Sequence, residues 1–197
     1  MMVVGLTGGI GSGKTTIAKW FQSQGIPVYI ADKEAKALMN RSKVIKRKLT
    51  ALFGEDAYKE GKLNREYLAS KIFNDRTLLS KMNAIVHPKV GSHFNRWLKK
   101  QDSPYVIKEA AIIFENNLEY QYDYIITVVA DKALRIERVM KRDNASKEKV
   151  ESIISNQLSD EEKIKKSHFV INNNKLEEAK EQALSIHQIL LKKSKAQ

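Results

Sequence analysis

Gly8-Gly9-Ile10-Gly11-Ser12-Gly13-Lys14-Thr15 is the stretch on which the reading of this chain turns. It satisfies G-x-x-x-x-G-K-[ST], in which glycines let a loop curl with successive N–H groups turned inward at phosphate oxygens. Five of the nine glycines fall within the first thirteen residues, so the backbone there needs unusual geometry. The flanks agree with the motif. Residues 3–7 read as a strand, and residues 15–24 read as a helix whose N-terminus adds its own attraction for an anion. In this cradle Gly11, Ser12 and Gly13 supply backbone donors and Lys14 neutralises the β- and γ-phosphates. The Thr15 hydroxyl is the expected Mg²⁺ ligand, and Thr16 reaches the α-phosphate. A flexible loop with a chance lysine would not come with a strand before it and a helix after it. The chain is expected to bind a nucleoside triphosphate.

Outward from the loop, short β-branched or aromatic runs alternate with longer helical patterns. Residues 28–31, Tyr105–Glu109, Tyr124–Val129 and Phe169–Asn172 join 3–7 as strands too continuously apolar for a sheet with one wet face. Ser146 can cap a helix with the stripe Val150, Ile153, Ile154 and Leu158, and Ser159-Asp160-Glu161-Glu162 reads as a capping box. Leu176, Ala179, Ala183, His187 and Leu190 mark a closing amphipathic helix. The alternation predicts an α/β fold, a parallel sheet flanked by helices. Residues 32–102 break the rhythm: no strand is expected there, only helices interrupted at Gly54, Gly61 and Pro88. That is too long for one crossover and reads as a helical, substrate-binding insertion. The expected division is a nucleotide-binding core of residues 1–31, 103–131 and 165–197, the insertion 32–102, and a lid with its following helices over 132–164.

Composition narrows the classes. At 197 residues the chain is the size of one domain with insertions, and 42% hydrophobic and 29% charged residues describe an ordinary globular protein. There is no cysteine, which excludes disulfides and thiolate metal sites and suggests a cytoplasmic address. No apolar run approaches a membrane span. A net charge of +12 favours anionic partners without choosing among them.

The reaction must come from other residues. A regulatory GTPase would carry D-x-x-G and N/T-K-x-D, and neither occurs; an ATPase motor would carry an apolar strand ending in Asp-Glu, also missing. A small-molecule kinase needs less: the loop, Mg²⁺, a base on the acceptor and mobile cations. In an open parallel sheet ligands gather at the carboxyl ends of the strands, where Asp32, Glu109 and Asn172 follow or close theirs. Asp32, at the border of sheet and insertion, is the candidate general base, against a bland role as cap of the helix after it. Glu109 could tune a Mg²⁺-bound water, pair with Lys14, or be a simple strand-end charge. Arg135, Arg138 and Arg142 share one helical face, as a lid closing on the γ-phosphate would. The four histidines lack metal-ligand spacing, and His87-Pro88 reads as a helix boundary or a substrate contact. Trp20 and Trp97 read as core.

These residues, taken in order, resemble the dephospho-coenzyme A kinases. The loop with Ala31-Asp32, then Gly61-Lys62-Leu63-Asn64-Arg65 with Leu68, Phe73, and Ile85-Val86-His87-Pro88 carry the first half. Ala110-Ala111-Ile112-Ile113-Phe114-Glu115, Arg138 with Arg142-Asp143, Gln157, and Phe169-Val170-Ile171-Asn172-Asn173 carry the second. The resemblance implies ATP-dependent phosphorylation of the 3′-hydroxyl of dephospho-CoA, with a core, a helical CoA-binding domain and a lid. It implies Asp32 as base, Arg65 and His87 as substrate residues, Arg138 and Arg142 as lid arginines, and the Asn172 region near adenine. The chain departs from the family's usual pattern at Ile30 and at Asn64, where an aspartate is common. It departs again at Glu109-Ala110-Ala111 and at Ser167-His168. The expected partners are ATP and dephospho-CoA, without nucleic acid or membrane, and the expected state is a monomer. One rival reading is a kinase of the same fold for another small acceptor. The other, a nucleic-acid-binding ATPase, has the charge but no recognition motif or aromatic-basic platform.

Overall fold

The computed structural model describes residues 1–73 and 75–196. Strands β1 (Met2–Thr7), β2 (Val28–Ile30), β5 (Tyr105–Glu109), β6 (Tyr124–Val129) and β7 (Phe169–Asn172) form one parallel sheet in the order β2-β5-β1-β6-β7. Every residue of β1 and of β5 is buried, as expected of strands covered on both faces. Met2, Val4 and Leu6 point to the face covered by α1 (Lys14–Ser23) and α9 (Leu176–Ser194), packing with Ile17, Phe21, Ala183 and Leu190. Each such fully buried aliphatic side chain stabilises the fold by about 1.5–3 kcal/mol. On the opposite face Ile113 and Tyr122 press so closely on Gly5 that a Cβ there would stand 2.9 Å from each. Under α9 the Tyr105 hydroxyl and His187 Nδ1 share a 2.6 Å hydrogen bond, and burial holds the imidazole below its ordinary pKa. The expected strand 28–31 is one residue shorter, because Ala31 already opens a helix.

Register brings the strand ends level. Leu6 pairs with Glu109, Ile30 with Glu109, Thr7 with Thr127, and Val129 with Asn172. β1 lies between β5 and β6: the chain after it crosses to β2 on one side, and the chain after β5 crosses to β6 on the other, so the loop after Thr7 emerges at the switch point of the sheet.

Contacts divide the chain into two units, residues 1–30 with 101–197, and residues 31–100. The second unit contains α2 (Ala31–Arg41), α3 (Lys43–Phe53), α4 (Arg65–Ile72) and α5 (Arg76–Leu98). Ser42, Asn64 and Asp75 cap the last three, each side chain accepting from the backbone N–H three residues on. Its interior holds Leu38, Ile45, Leu49, Leu68, Val86, Val90 and Phe94. Two expectations fail here. The segment is not free of strands: β3 (Tyr58–Lys59) and β4 (Lys62–Leu63) form a short hairpin turning through Glu60 and Gly61, both at positive φ. Nor does His87-Pro88 mark a helix end, since Pro88 lies inside the 23-residue α5. Buried Val86, Val90 and Phe94 on one face carry the helix through the missing N–H, and Ser92 Oγ bonds the Pro88 carbonyl. Among the described residues no helix is long and apolar enough to cross a membrane.

Candidate functional site

The loop of residues 8–13 closes by a Ser12 N–H to Gly9 C=O bond of 3.2 Å and enters α1 through Gly13, which is left-handed at φ 91°. The Lys14 ammonium folds back to donate to the Gly8 carbonyl at 2.8 Å and the Gly9 carbonyl at 3.4 Å. In this position the ammonium stands in for the cation that a bound anion would otherwise meet, and it is held inside the loop until a phosphate competes for it. No acidic residue stands in the first turn of α1, so nothing there opposes negative charge. Thr15 and Thr16 are exposed on that first turn.

Helix α6 (Lys132–Asp143) follows β6 and borders the loop; α7 (Lys147–Ser155) and α8 (Asp160–Lys166) come next. Ser146 caps α7, and the capping box at Ser159 and Glu162 is formed as expected. The three arginines of α6 do not behave as one mobile face. Arg135 is only 5% exposed, donating from Nε to the Ile10 carbonyl and from Nη1 to Asp160 Oδ2. Arg138 donates from Nη2 to the Asn173 carbonyl at 2.9 Å, while its Nη1 is buried without a hydrogen-bond partner among the described residues. That Nη1 stands 4.0 Å from where a Cβ on Gly13 would be. Arg142 is exposed and grips Asp143 with two 2.7 Å bonds, which raise its own pKa and lower that of the carboxyl. A fork in water is released readily to a better anion.

Asn172 and its neighbours build the turn into α9. Its backbone N–H donates to Gln182 Oε1, its side chain accepts from Asn174 N–H, and it is exposed. The residue against the phosphate loop is Asn173, which is buried and donates from Nδ2 to the Ser12 carbonyl at 2.8 Å. In the sequence Asn173 stands out only as the last letter of the family resemblance, and the spacing of Arg135 points to a lid, whereas the structure sets it against the loop. Glu109 is buried at the end of β5; burial of the Tyr122 phenol, and after it the charge of Glu109, push that phenol's pKa upward. Lys108 is buried on the same strand, bonds Gln121 Oε1, and has its pKa lowered by burial. Glu115 has a structural part: it accepts from Leu158 N–H and pairs at 2.9 Å with the fully buried Lys163 of α8.

Asp32, Arg65 and His87 belong to the second unit and are exposed. The bland role for Asp32 fails, because α2 starts at Ala31 and Asp32 lies within its first turn instead of at the cap. Arg65 opens α4 and, with Asn40, Gly61, Lys62 and Leu63, lines a cavity of about 450 Å³. The cavity wall is fixed by Leu63 N–H to Asn40 Oδ1 and by Lys46 Nζ to the Gly61 carbonyl.

One of the loop's glycines can be weighed against another elsewhere. Gly11 is left-handed at φ 78°, and an added Cβ would strike the Arg135 backbone; Gly25 is left-handed at φ 79° with nothing within 4 Å. Gly25→Ala is expected to cost the backbone strain alone, about 1–3 kcal/mol. Gly11→Ala adds overpacking of about 1–3 kcal/mol. Thermal melts of the two variants should therefore show the larger fall in Tm for Gly11→Ala, and equal falls would contradict the collision.

A family model described as dephospho-CoA kinase matches residues 2–178. The chain belongs to the dephospho-CoA kinase family. The dephospho-CoA kinase of Bacteroides fragilis is 42% identical over 171 residues, 86% of this chain and 83% of that protein. That of Fusobacterium nucleatum is 36% identical over 175 residues, 88% and 90% of the two chains. Among solved structures, TT1252 from Thermus thermophilus superposes with a TM-score of 0.88 at 33% identity, over 95% of this chain and 96% of that one. Dephospho-CoA kinase from Campylobacter jejuni gives 0.69 at 25% identity, over 96% and 97%. A shikimate kinase from Acinetobacter baumannii, at 16% identity and TM-score 0.52, over 98% of this chain and 94% of that one, shares the fold alone. One departure from the dephospho-CoA kinase pattern is neutral in its local role: Asn64 caps α4 by accepting from Tyr67 N–H, as an aspartate would.

Proposed function

We propose that the chain holds ATP in the loop of residues 8–13 and transfers its γ-phosphoryl group to the ribose 3′-hydroxyl of dephospho-CoA, giving CoA and ADP. Phosphorylation of dephospho-CoA in coenzyme A biosynthesis is the activity of its family, and ATP is the co-substrate that a kinase of this family implies. The observation that supports the assignment of the loop is the convergence on Gly13 of a helix N-terminus, the Ser12–Asn173 contact and the unpartnered Arg138 Nη1. Buried Ser12 Oγ and Asn173 Oδ1 also lack hydrogen-bond partners among the described residues, so polar capacity remains around the loop.

In this reading Gly11, Ser12 and Gly13 cradle the phosphates, and Lys14 leaves the Gly8 carbonyl for the β- and γ-oxygens. Thr16 reaches the α-phosphate, and Asn172 with Asn173 borders the base. Arg138 and Arg142 draw charge off the transferring group, and Asp32 accepts the acceptor's proton and aligns its oxygen. Arg65 and His87 hold dephospho-CoA, with the cavity beside Arg65 as part of that surface. Catalysis is then positioning and charge neutralisation, with little covalent work for the protein. Among the described residues no group of three or more His, Cys, Asp or Glu could cage a metal, so Mg²⁺ would be held by Thr15 and the nucleotide's own phosphates. When bound it would supply charge neutralisation between the β- and γ-phosphates. The partners are these two small molecules; the address is the cytoplasm and the working form a monomer.

Coupled ADP release from Mg-ATP tests the reading, with dephospho-CoA beside AMP, CMP, phosphopantetheine, gluconate and shikimate. Turnover with dephospho-CoA alone, with CoA as product, is expected. Turnover with another acceptor only would overturn the substrate and keep the fold.

A further inference from the structure

We propose that Arg135 is a positioning residue that holds the phosphate loop in its nucleotide-binding curl by clamping Ile10 together with Gln157. The proposal rests on the loop being the ATP site. Ile10 lies in the turn of the loop, and its side chain carries no group of use to a phosphate. Yet both of its backbone groups are tied by side chains distant in sequence. Its N–H donates to Gln157 Oε1 at 2.9 Å, and its carbonyl accepts from Arg135 Nε at 2.9 Å. Its side chain packs with Ile136, Val139 and Val150 of α6 and α7.

Arg135 is itself built in. It is 5% exposed, its charge is answered by Asp160 Oδ2 at 2.8 Å, and Asp160 opens α8 behind the capping box. A Cβ on Gly9 would collide with the Arg135 guanidinium, and one on Gly11 with its backbone. Two glycines of the motif therefore make room for this arginine. The effect is on geometry: a loop can offer preformed donors only if its carbonyls are held outward, and donors that need no reorganisation bind best. The Gly8 carbonyl is answered by Lys14, that of Gly9 by Ser12 N–H and Lys14, that of Ser12 by Asn173, and that of Ile10 by Arg135. When Lys14 turns to the nucleotide, the bond to Ile10 remains.

The test separates the bond to Ile10 from the charge. Glutamine places Nε2 where arginine has Nε, whereas methionine places a methyl group there; neither can pair with Asp160. Both are made in an Asp160→Asn background, so that no carboxylate is left buried alone. Titration of Mg-ATP by calorimetry is expected to give Arg135→Gln within about threefold of the background and Arg135→Met about tenfold weaker, the loss of one hydrogen bond. In steady state the methionine variant should raise KM for ATP with kcat little changed, and amide exchange should quicken at Gly11 and Ser12. Equal affinities for the two variants would overturn the clamp, whatever happens to Tm. Should Arg135→Met not fold, Gln157→Met, which keeps the length of the side chain and removes the acceptor, repeats the test at the N–H of Ile10. Mg-ATP binding several-fold weaker than in the unsubstituted chain is expected, and equal affinity again defeats the proposal. If the unsubstituted chain itself fails to bind Mg-ATP, the assignment of the loop falls and the clamp with it.

Discussion

Lys14→Met is expected to lower kcat/KM for phosphoryl transfer by about a thousandfold, the upper range for removing one preorganised charge from a transition state. Methionine keeps the length and apolar stem of the side chain and removes only the ammonium. That ammonium sits 2.8 Å from the Gly8 carbonyl and 3.4 Å from that of Gly9, within the curl it is meant to serve. Its departure leaves the Gly8 carbonyl short of one donor, a cost of about 1 kcal/mol, so the fold should survive with a small change in Tm. Lys14→Arg should not restore the rate. The planar guanidinium is wider than an ammonium and would meet a loop already closed by the Ser12 to Gly9 bond. Single-turnover rates and nucleotide titrations on both variants check this. A loss confined to KM would mean that Lys14 binds the ground state and the transition state equally.

Lys14 was legible because a local rule places it: a strand, a glycine loop and a helix in direct succession. The five strands of the main sheet were legible for a related reason, since burial on both faces demands continuous apolar runs. What escaped depends on partners far along the chain. Arg135, Arg138 and Arg142 share one spacing, yet one is buried against Ile10, one reaches Asn173 and one grips its neighbour Asp143. Periodicity gives the face of a helix and not what lies opposite each turn of it. Asn172 and Asn173 are adjacent, and only the path of the chain after β7 decides which one meets Ser12. Pro88 signals a break by local chemistry, and packing by Val86, Val90 and Phe94 overrides it. The β3–β4 hairpin is two residues on each side, too short for any alternation to register.

Asp32→Asn isolates the step that the charge-neutralising residues cannot perform. Its expected effect is a fall in kcat of about 10²–10⁴, the range for a general base, with ATP affinity retained. Asparagine keeps the shape and one carbonyl oxygen, so it can still accept a hydrogen bond from the acceptor hydroxyl; what it loses is the capacity to take the proton. Asp32 is exposed within the first turn of α2, where its charge contributes about 0.3–1 kcal/mol through the helix dipole, which predicts only a small fall in Tm. Glu34 supplies the control. It shares the first turn of α2 and pairs with Arg41 at 3.0 Å, so Glu34→Gln removes a negative charge from the same helix end and breaks an ion pair as well. If charge at that helix end were the cause, Glu34→Gln would slow turnover about as much as Asp32→Asn. If proton acceptance is the cause, Glu34→Gln should leave kcat near that of the unsubstituted chain. An undiminished kcat in Asp32→Asn would remove it as the base. The acceptor would then lose its proton only as the bond to phosphorus forms, which a loose transition state permits.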